Sequence, residues 1–224
     1  NNEARMIAES LISTDIIPLQ TSDRGETALE MMSEFYVRHL PIVNNQQLLG
    51  LISEDDVLNY DVHEAIGSYS LSLIRPYAMI SDHIYELMRL MAELRLTVIP
   101  VVDHDQNYQG VVSMEDLLQY FAQTASFTEP GSILILEVPR RDYSLAEIAR
   151  LVESEQATIL NVFITGHPES ARITVTLKIN LLEIGRIVAT FERFEYVVNA
   201  SFTESEYVDS LKERFDSLVS YLNV

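Results

Sequence analysis

Cysteine is absent from all 224 residues, so the chain can form neither a disulfide nor a thiolate metal site. That absence is compatible with the cytoplasm, which is the expected location. Glycine is scarce, with seven residues and none gathered into the rich loop that cradles a phosphate on backbone N–H groups. Basic residues are also few: 15 Lys and Arg stand against 34 Asp and Glu, a formal net charge of −19. Residues 1–128 carry 19 acids against 6 bases, and residues 129–224 carry 15 against 9. Neither part has the basic stripe of a nucleic-acid binder. A surface of this sign repels phosphate backbones and anionic lipid headgroups at long range. No apolar run reaches the ~20 residues of a membrane span, and no signal-peptide pattern opens the chain. The expectation is a protein that binds neither nucleic acid nor membrane. The five histidines (His39, His63, His83, His104 and His167) share no metal-ligand spacing, and no serine lies in a Gly-x-Ser-x-Gly elbow. No enzyme and no metal site are expected.

What the chain does have is a stretch written twice. Gly50-Leu51-Ile52-Ser53-Glu54-Asp55-Asp56-Val57-Leu58 returns sixty residues later as Gly110-Val111-Val112-Ser113-Met114-Glu115-Asp116-Leu117-Leu118. Each copy follows an apolar run containing proline, at Pro41 and at Pro100, and the two Pro-to-Gly distances differ by one residue. Self-similarity at a fixed spacing signals a duplicated unit.

Around these copies the pattern predicts one order of elements twice. In the first unit, apolar spacing predicts a short amphipathic helix over 6–12, an extended piece at 15–19 and a helix over 27–37 whose start is marked by the cluster at 21–23. Strands at 40–43 and 48–52, joined by a turn containing Asn45, lead into a helix from Glu54. The second unit has an extended piece at 77–80, a helix opened by Ser81 and Asp82, strands at 98–102 and 108–112, and a closing helix over 114–121. Met6 reads as lying near the natural start, with residues 1–5 as an addition.

A Pro130-Gly131 pair marks a boundary near 124–131, after which the pattern changes. A nearly continuous apolar strand (132–138), a helix with a Ser144…Glu147 capping signal, strands at 158–165 and 172–179, a helix at 182–191 and a strand at 196–202 give the order β-α-β-β-α-β. Residues 205–222 place Leu211, Phe215, Leu218 and Leu222 at helical spacing, predicting a terminal helix against the sheet or a partner subunit. The fold class is α/β (α+β), with domains expected at 6–63, 64–125 and 131–224.

The chemistry of the repeated motif is concentrated in its Ser and Asp. Ser53 and Ser113 leave a strand and open a helix, and Asp56 and Asp116 fall three residues on. This is capping-box spacing with Asp in place of Glu or Gln. The same geometry suits a ligand, since an ionised carboxylate is acceptor-only and can take both hydroxyls of a ribose. The first copy is preceded by the cations Arg38 and His39, the second by Thr97 and Val98. The acidic run Glu54-Asp55-Asp56 reads as a solvated first helical turn.

The repeated unit, Pro41 through Asp56 and Pro100 through Asp116, resembles the CBS domain, and two in tandem resemble a Bateman module. The third part is similar to an ACT-type ferredoxin-like domain by element order, and the whole is similar to AcuB-like CBS–ACT proteins, named for acetoin utilisation. The resemblance implies a regulatory, homodimeric protein whose CBS pair binds an adenosine compound (AMP, ADP, ATP or S-adenosylmethionine) and acts on a protein target. It implies ribose contacts at Asp56 and Asp116, with Ser53 and Ser113 beside them, Pro41 and Pro100 in the flanking strands, and a phosphate near Arg38 and His39. The net charge favours AMP or adenosine over ATP. Two other readings compete: a constitutive dimerisation scaffold with vestigial clefts, and an amino-acid sensor in the ACT-like part. Against the latter, the loop Val138-Pro139-Arg140-Arg141-Asp142-Tyr143 lacks the glycine that lets a backbone approach a ligand closely.

Overall fold

The structure, a computed structural model, describes residues 6–70 and 74–203. The terminal helix expected at 205–222 lies outside these residues. The chain divides into two compact units, Asn1–Phe121 and Ala122–Val224, each with its own apolar core.

The first unit contains the two repeats. Repeat 1 runs α1 (Gly25–Glu34), β1 (His39–Asn44), β2 (Gln47–Ser53) and α2 (Glu54–Leu58). Repeat 2 runs β3 (Ala78–Met79), α3 (Ile84–Leu94), β4 (Val98–Val102), β5 (Tyr108–Ser113) and α4 (Met114–Thr124). Both hairpins are antiparallel, with Pro41 opposite Leu51 and Pro100 opposite Val111, and both carry a register shift at matching places. The one-residue difference in spacing falls in the hairpin turns. Asn45 and Gln46 form a two-residue turn with φ of 47° and 67°, the backbone twist that tight hairpins favour. The longer turn after β4 is held by Asp103, whose Oδ1 accepts the N–H groups of Asp105 and Asn107 at 2.9 and 2.8 Å.

Two expected helix starts come out differently. Asp23 Oδ2 accepts the N–H of Gln20 at 2.7 Å, and Asp82 Oδ2 accepts that of Met79 at 2.8 Å. Each side chain therefore closes a turn before the helix, so that α1 begins after the 21–23 cluster, at Gly25, and ends at Glu34, short of the expected 37, while α3 begins at Ile84. The helix predicted over 6–12 is a single 3-10 turn, Ala8–Leu11. Its N–H groups are claimed by the other repeat: Ala8 donates to Asp82 O at 2.8 Å and Glu9 to Ile80 O at 3.0 Å.

This exchange runs in both directions. Ser13 pairs with Val111 on β5, while Ile74, which leads into repeat 2, pairs with Leu51 on β2. Each repeat thus lends its leading segment to the second strand of the other. Gly110 makes one of these crossings possible. With φ +147°, a Cβ there would lie 2.6 Å from both Ser13 O and Ile12 Cγ2.

The second unit contains β6 (Ser132–Pro139), α5 (Leu145–Ser154), β7 (Ile159–Thr165), β8 (Arg172–Ile179), α6 (Gly185–Arg193) and β9 (Val197–Phe202). The sheet order β7-β8-β6-β9, antiparallel throughout, is that of a ferredoxin-like split βαβ fold. Although β6 reads as continuously apolar, it alternates in burial. Leu134, Leu136 and Val138 join the core with Ile148, Leu151, Ile187 and Phe191, while Ile133, Ile135 and Glu137 are only half-buried. Ser144 Oγ accepts the N–H of Glu147 at 3.3 Å, capping α5, but the Glu147 carboxylate bonds Arg150.

Candidate functional site

The strand-to-helix turns are built alike. In repeat 1, Ser53 Oγ accepts the N–H of Asp56 at 3.1 Å and donates to Asp56 Oδ2 at 2.6 Å. The N–H of Ser53 donates to the same Oδ2 at 2.9 Å, completing a reciprocal capping box. In repeat 2, Ser113 Oγ accepts from Asp116 N–H at 3.0 Å and donates to Asp116 Oδ2 at 2.6 Å. Oδ2 of each Asp is thus engaged in the cap. Oδ1 of each takes no hydrogen bond from the described residues.

The two turns are matched bond for bond in their flanking backbone. Glu54 N–H donates to Arg38 O and Met114 N–H donates to Thr97 O, both at 2.9 Å. Val37 N–H closes on Met32 O and Leu96 N–H on Met91 O, at 3.0 and 2.9 Å. Tyr36 and Arg95, the residues that leave α1 and α3, both have φ of 54°. Arg38 is therefore the structural twin of Thr97, and Tyr36 the twin of Arg95.

The twins at 38 and 97 touch. Thr97 Oγ1 accepts the N–H of Arg38 at 2.9 Å and lies 3.0 Å from His39 Nδ1, which accepts the N–H of Thr97 at 3.2 Å. With Nδ1 an acceptor, the ring proton is assigned to Nε2. Burial, followed by the charge of Arg38, holds the His39 pKa below the usual histidine value, against the opposing pull of Asp56 and Asp55. His39 is consequently neutral near pH 7. The Arg38 guanidinium bridges Glu54 Oε2 (2.9 Å) and Asp55 Oδ1 (3.3 Å) on the surface, an exposed arrangement worth at most about 1 kcal/mol.

Of the candidate residues in the sequence, Arg38 and His39 come together with Thr97, and each Ser meets its Asp. Pro41 and Pro100 lie within the buried hairpins. A cavity of about 470 Å³ opens beside the second turn, lined by Ile16, Phe35, Tyr36, Val37, Thr97, Ser113, Met114, Glu115 and Leu118. Of this lining, Ser113 alone is a site candidate on sequence grounds. Met114, Glu115 and Leu118 follow Ser113 on α4, and the remaining residues come from three separate stretches (Ile16, Phe35–Val37 and Thr97) that the folding of the two repeats brings together. The volume falls in the range of small-molecule sites. In the second unit, Arg140 is exposed and its side chain donates to Ser170 O and His167 O at 3.3 and 3.2 Å. Among the described residues no group of three His, Asp or Glu side chains is placed to hold a metal ion. Among them no helix is long and apolar enough to cross a membrane.

The duplicated strand-pair-and-helix units, crossed over by their leading segments, define a family, and the CBS domain family matches residues 8–63 and 73–123. The N-terminal part of the chain is a tandem pair of CBS domains. Among curated proteins, an uncharacterised 33.4 kDa protein in a ribosomal RNA operon of Thermofilum pendens is 26% identical over 133 residues, covering 53% of this chain and 44% of that one. The chain spans less than half the length of the curated relatives it matches. Among solved structures, a CBS domain pair/ACT domain protein from Thermotoga maritima is similar at 20% identity and TM-score 0.47, covering 53% of this chain and 98% of that one. CBSX2 in complex with AMP is similar at 20% identity and TM-score 0.45, covering 52% and 96%.

Proposed function

We propose that this protein is a regulatory sensor whose CBS pair binds an adenosine-containing ligand and passes the binding on as a change in conformation. The observation that carries the reading is the repeated Ser–Asp turn. Each Asp is anchored through one oxygen by its own cap and keeps the other open to a ribose hydroxyl, at a half-buried position on a CBS pair. On this reading Ser53 and Asp56 serve one ligand position, with Arg38 able to exchange its carboxylate partners for a phosphate. Ser113 and Asp116 serve the other. His39 contributes position through Thr97 and carries no charge to the ligand.

Signalling requires that the ligand bind one arrangement of the CBS pair more tightly than another. The crossed leading segments make such coupling physical, since a shift at either turn pulls on a segment belonging to the other repeat. We read the ferredoxin-like unit as an ACT-type output or assembly module and the protein as a homodimer acting on a protein target.

The test is a thermal-shift and calorimetric comparison of AMP, ADP, ATP, S-adenosylmethionine, adenosine and amino acids. A ligand at 100 times its Kd adds about 2.7 kcal/mol to stability, and Asp56→Ala or Asp116→Ala should weaken its binding at least tenfold. Absence of stabilisation by every adenosine compound would leave the scaffold reading in place. Stabilisation by an amino acid alone would favour sensing through the second unit.

A further inference from the structure

We infer that the cavity beside Ser113 selects a nucleoside-type ligand without phosphate, neutral or cationic in its 5′ part, unlike its twin at Ser53. The inference rests on the sensor reading above and concerns which ligand chemistry this position accepts.

The charge of the wall decides the matter. Five of the nine lining residues are aliphatic or phenyl side chains (Ile16, Phe35, Val37, Met114 and Leu118), and a sixth, Tyr36, is 91% exposed. Tyr36 is held in the left-handed conformation at the end of α1, so its ring is presented at the cavity edge rather than folded into the core. Such a ring suits stacking on a nucleobase. The polar lining is Thr97, Ser113 and Glu115. Glu115 makes no hydrogen bond or ion pair among the described residues, and Asp116 stands one hydrogen bond behind Ser113. Two carboxylates therefore face or back the cavity, and no basic side chain lines it.

Carboxylates accept hydrogen bonds from ribose hydroxyls but repel a phosphate. A phosphate moved into this low-dielectric, acid-flanked space would lose hydration with no cation in return. The twin position differs in having a cation beside its carboxylates, since Arg38 bridges Glu54 and Asp55 there. The residues equivalent to Thr97 and Tyr36 in the other repeat are Arg38 and Arg95. Both copies carry the serine and the carboxylate, and at each of these two positions an arginine stands in one copy alone.

Calorimetry on the whole chain with adenosine, S-adenosylmethionine and AMP tests the inference, using wild type, Asp116→Asn, Asp56→Asn and Glu115→Lys. The last change is at an exposed position and installs the missing cation. Adenosine or S-adenosylmethionine should bind at least tenfold more tightly than AMP at the position that Asp116→Asn weakens and Asp56→Asn leaves intact. The two phosphate-free compounds separate a neutral from a cationic 5′ part. Glu115→Lys should raise the affinity for AMP relative to adenosine at that position at least tenfold. AMP binding that equals or exceeds adenosine and is lost in Asp116→Asn would overturn the selectivity while leaving the sensor reading intact. Binding confined to AMP and lost only in Asp56→Asn would do the same. If no adenosine compound binds, both fall together.

Discussion

His39 shows how a single side chain changes meaning between sequence and structure. Next to Arg38 it reads as half of a cationic pair for a phosphate. In the fold its Nδ1 accepts the N–H of Thr97 at 3.2 Å, with the Thr97 hydroxyl 3.0 Å away, an arrangement that suits a neutral ring. Burial and the neighbouring Arg38 charge lower its pKa. The unfolded chain, with an ordinary histidine pKa of about 6.5, then binds the proton more readily than the native state. The stabilisation from neutral His39 is complete above that pH and is lost as pH falls from about 6.5 toward the lowered native value. Wild type should therefore lose thermal stability over this window more steeply than His39→Val, which copies Val98, the twin residue in repeat 2. Equal slopes would place the pH dependence on other groups.

Among the elements, the crossed leading segments matter most. Each is too short to be stable alone, and each finds its hydrogen-bonding partner in the other repeat, at Val111 and at Leu51. Gly110→Ala tests the first crossing, because the added Cβ would meet Ser13 O and Ile12 at 2.6 Å in a backbone region that side chains rarely adopt. Its cost should be about 1–3 kcal/mol, read as a lowered urea midpoint. Amide exchange should show the Ser13 and Val111 N–H groups losing protection first. The turns offer a contrast, since each Ser–Asp cap is entirely local and is legible as S-x-x-D in the linear chain.

At the scale of the molecule, 34 acids against 15 bases leave most carboxylates with no cation to pair. The described ion pairs lie at the surface, where each contributes little. Self-repulsion is the larger collective effect, and it shrinks as the screening length falls from about 20 Å at low salt toward 8 Å at 0.15 M. The melting temperature should accordingly rise by about 2–5 °C between 20 and 300 mM NaCl at pH 7.5. A fall would mean that the arginine pairs outweigh the repulsion.

The residue pattern by itself determined the duplication, the Ser–Asp turns, the hairpins and the β-α-β-β-α-β order. These depend on alternation, on spacing and on caps that span three residues. Tertiary structure alone decided which groups share a wall. The cavity gathers Ile16, Tyr36, Thr97 and Ser113 from separate stretches, because each repeat completes its partner rather than itself. It also decided that Arg38 leans on Glu54 and Asp55 and that His39 is neutral. Charge and protonation depend on what stands within a few ångströms, and a linear chain does not specify that until it has packed.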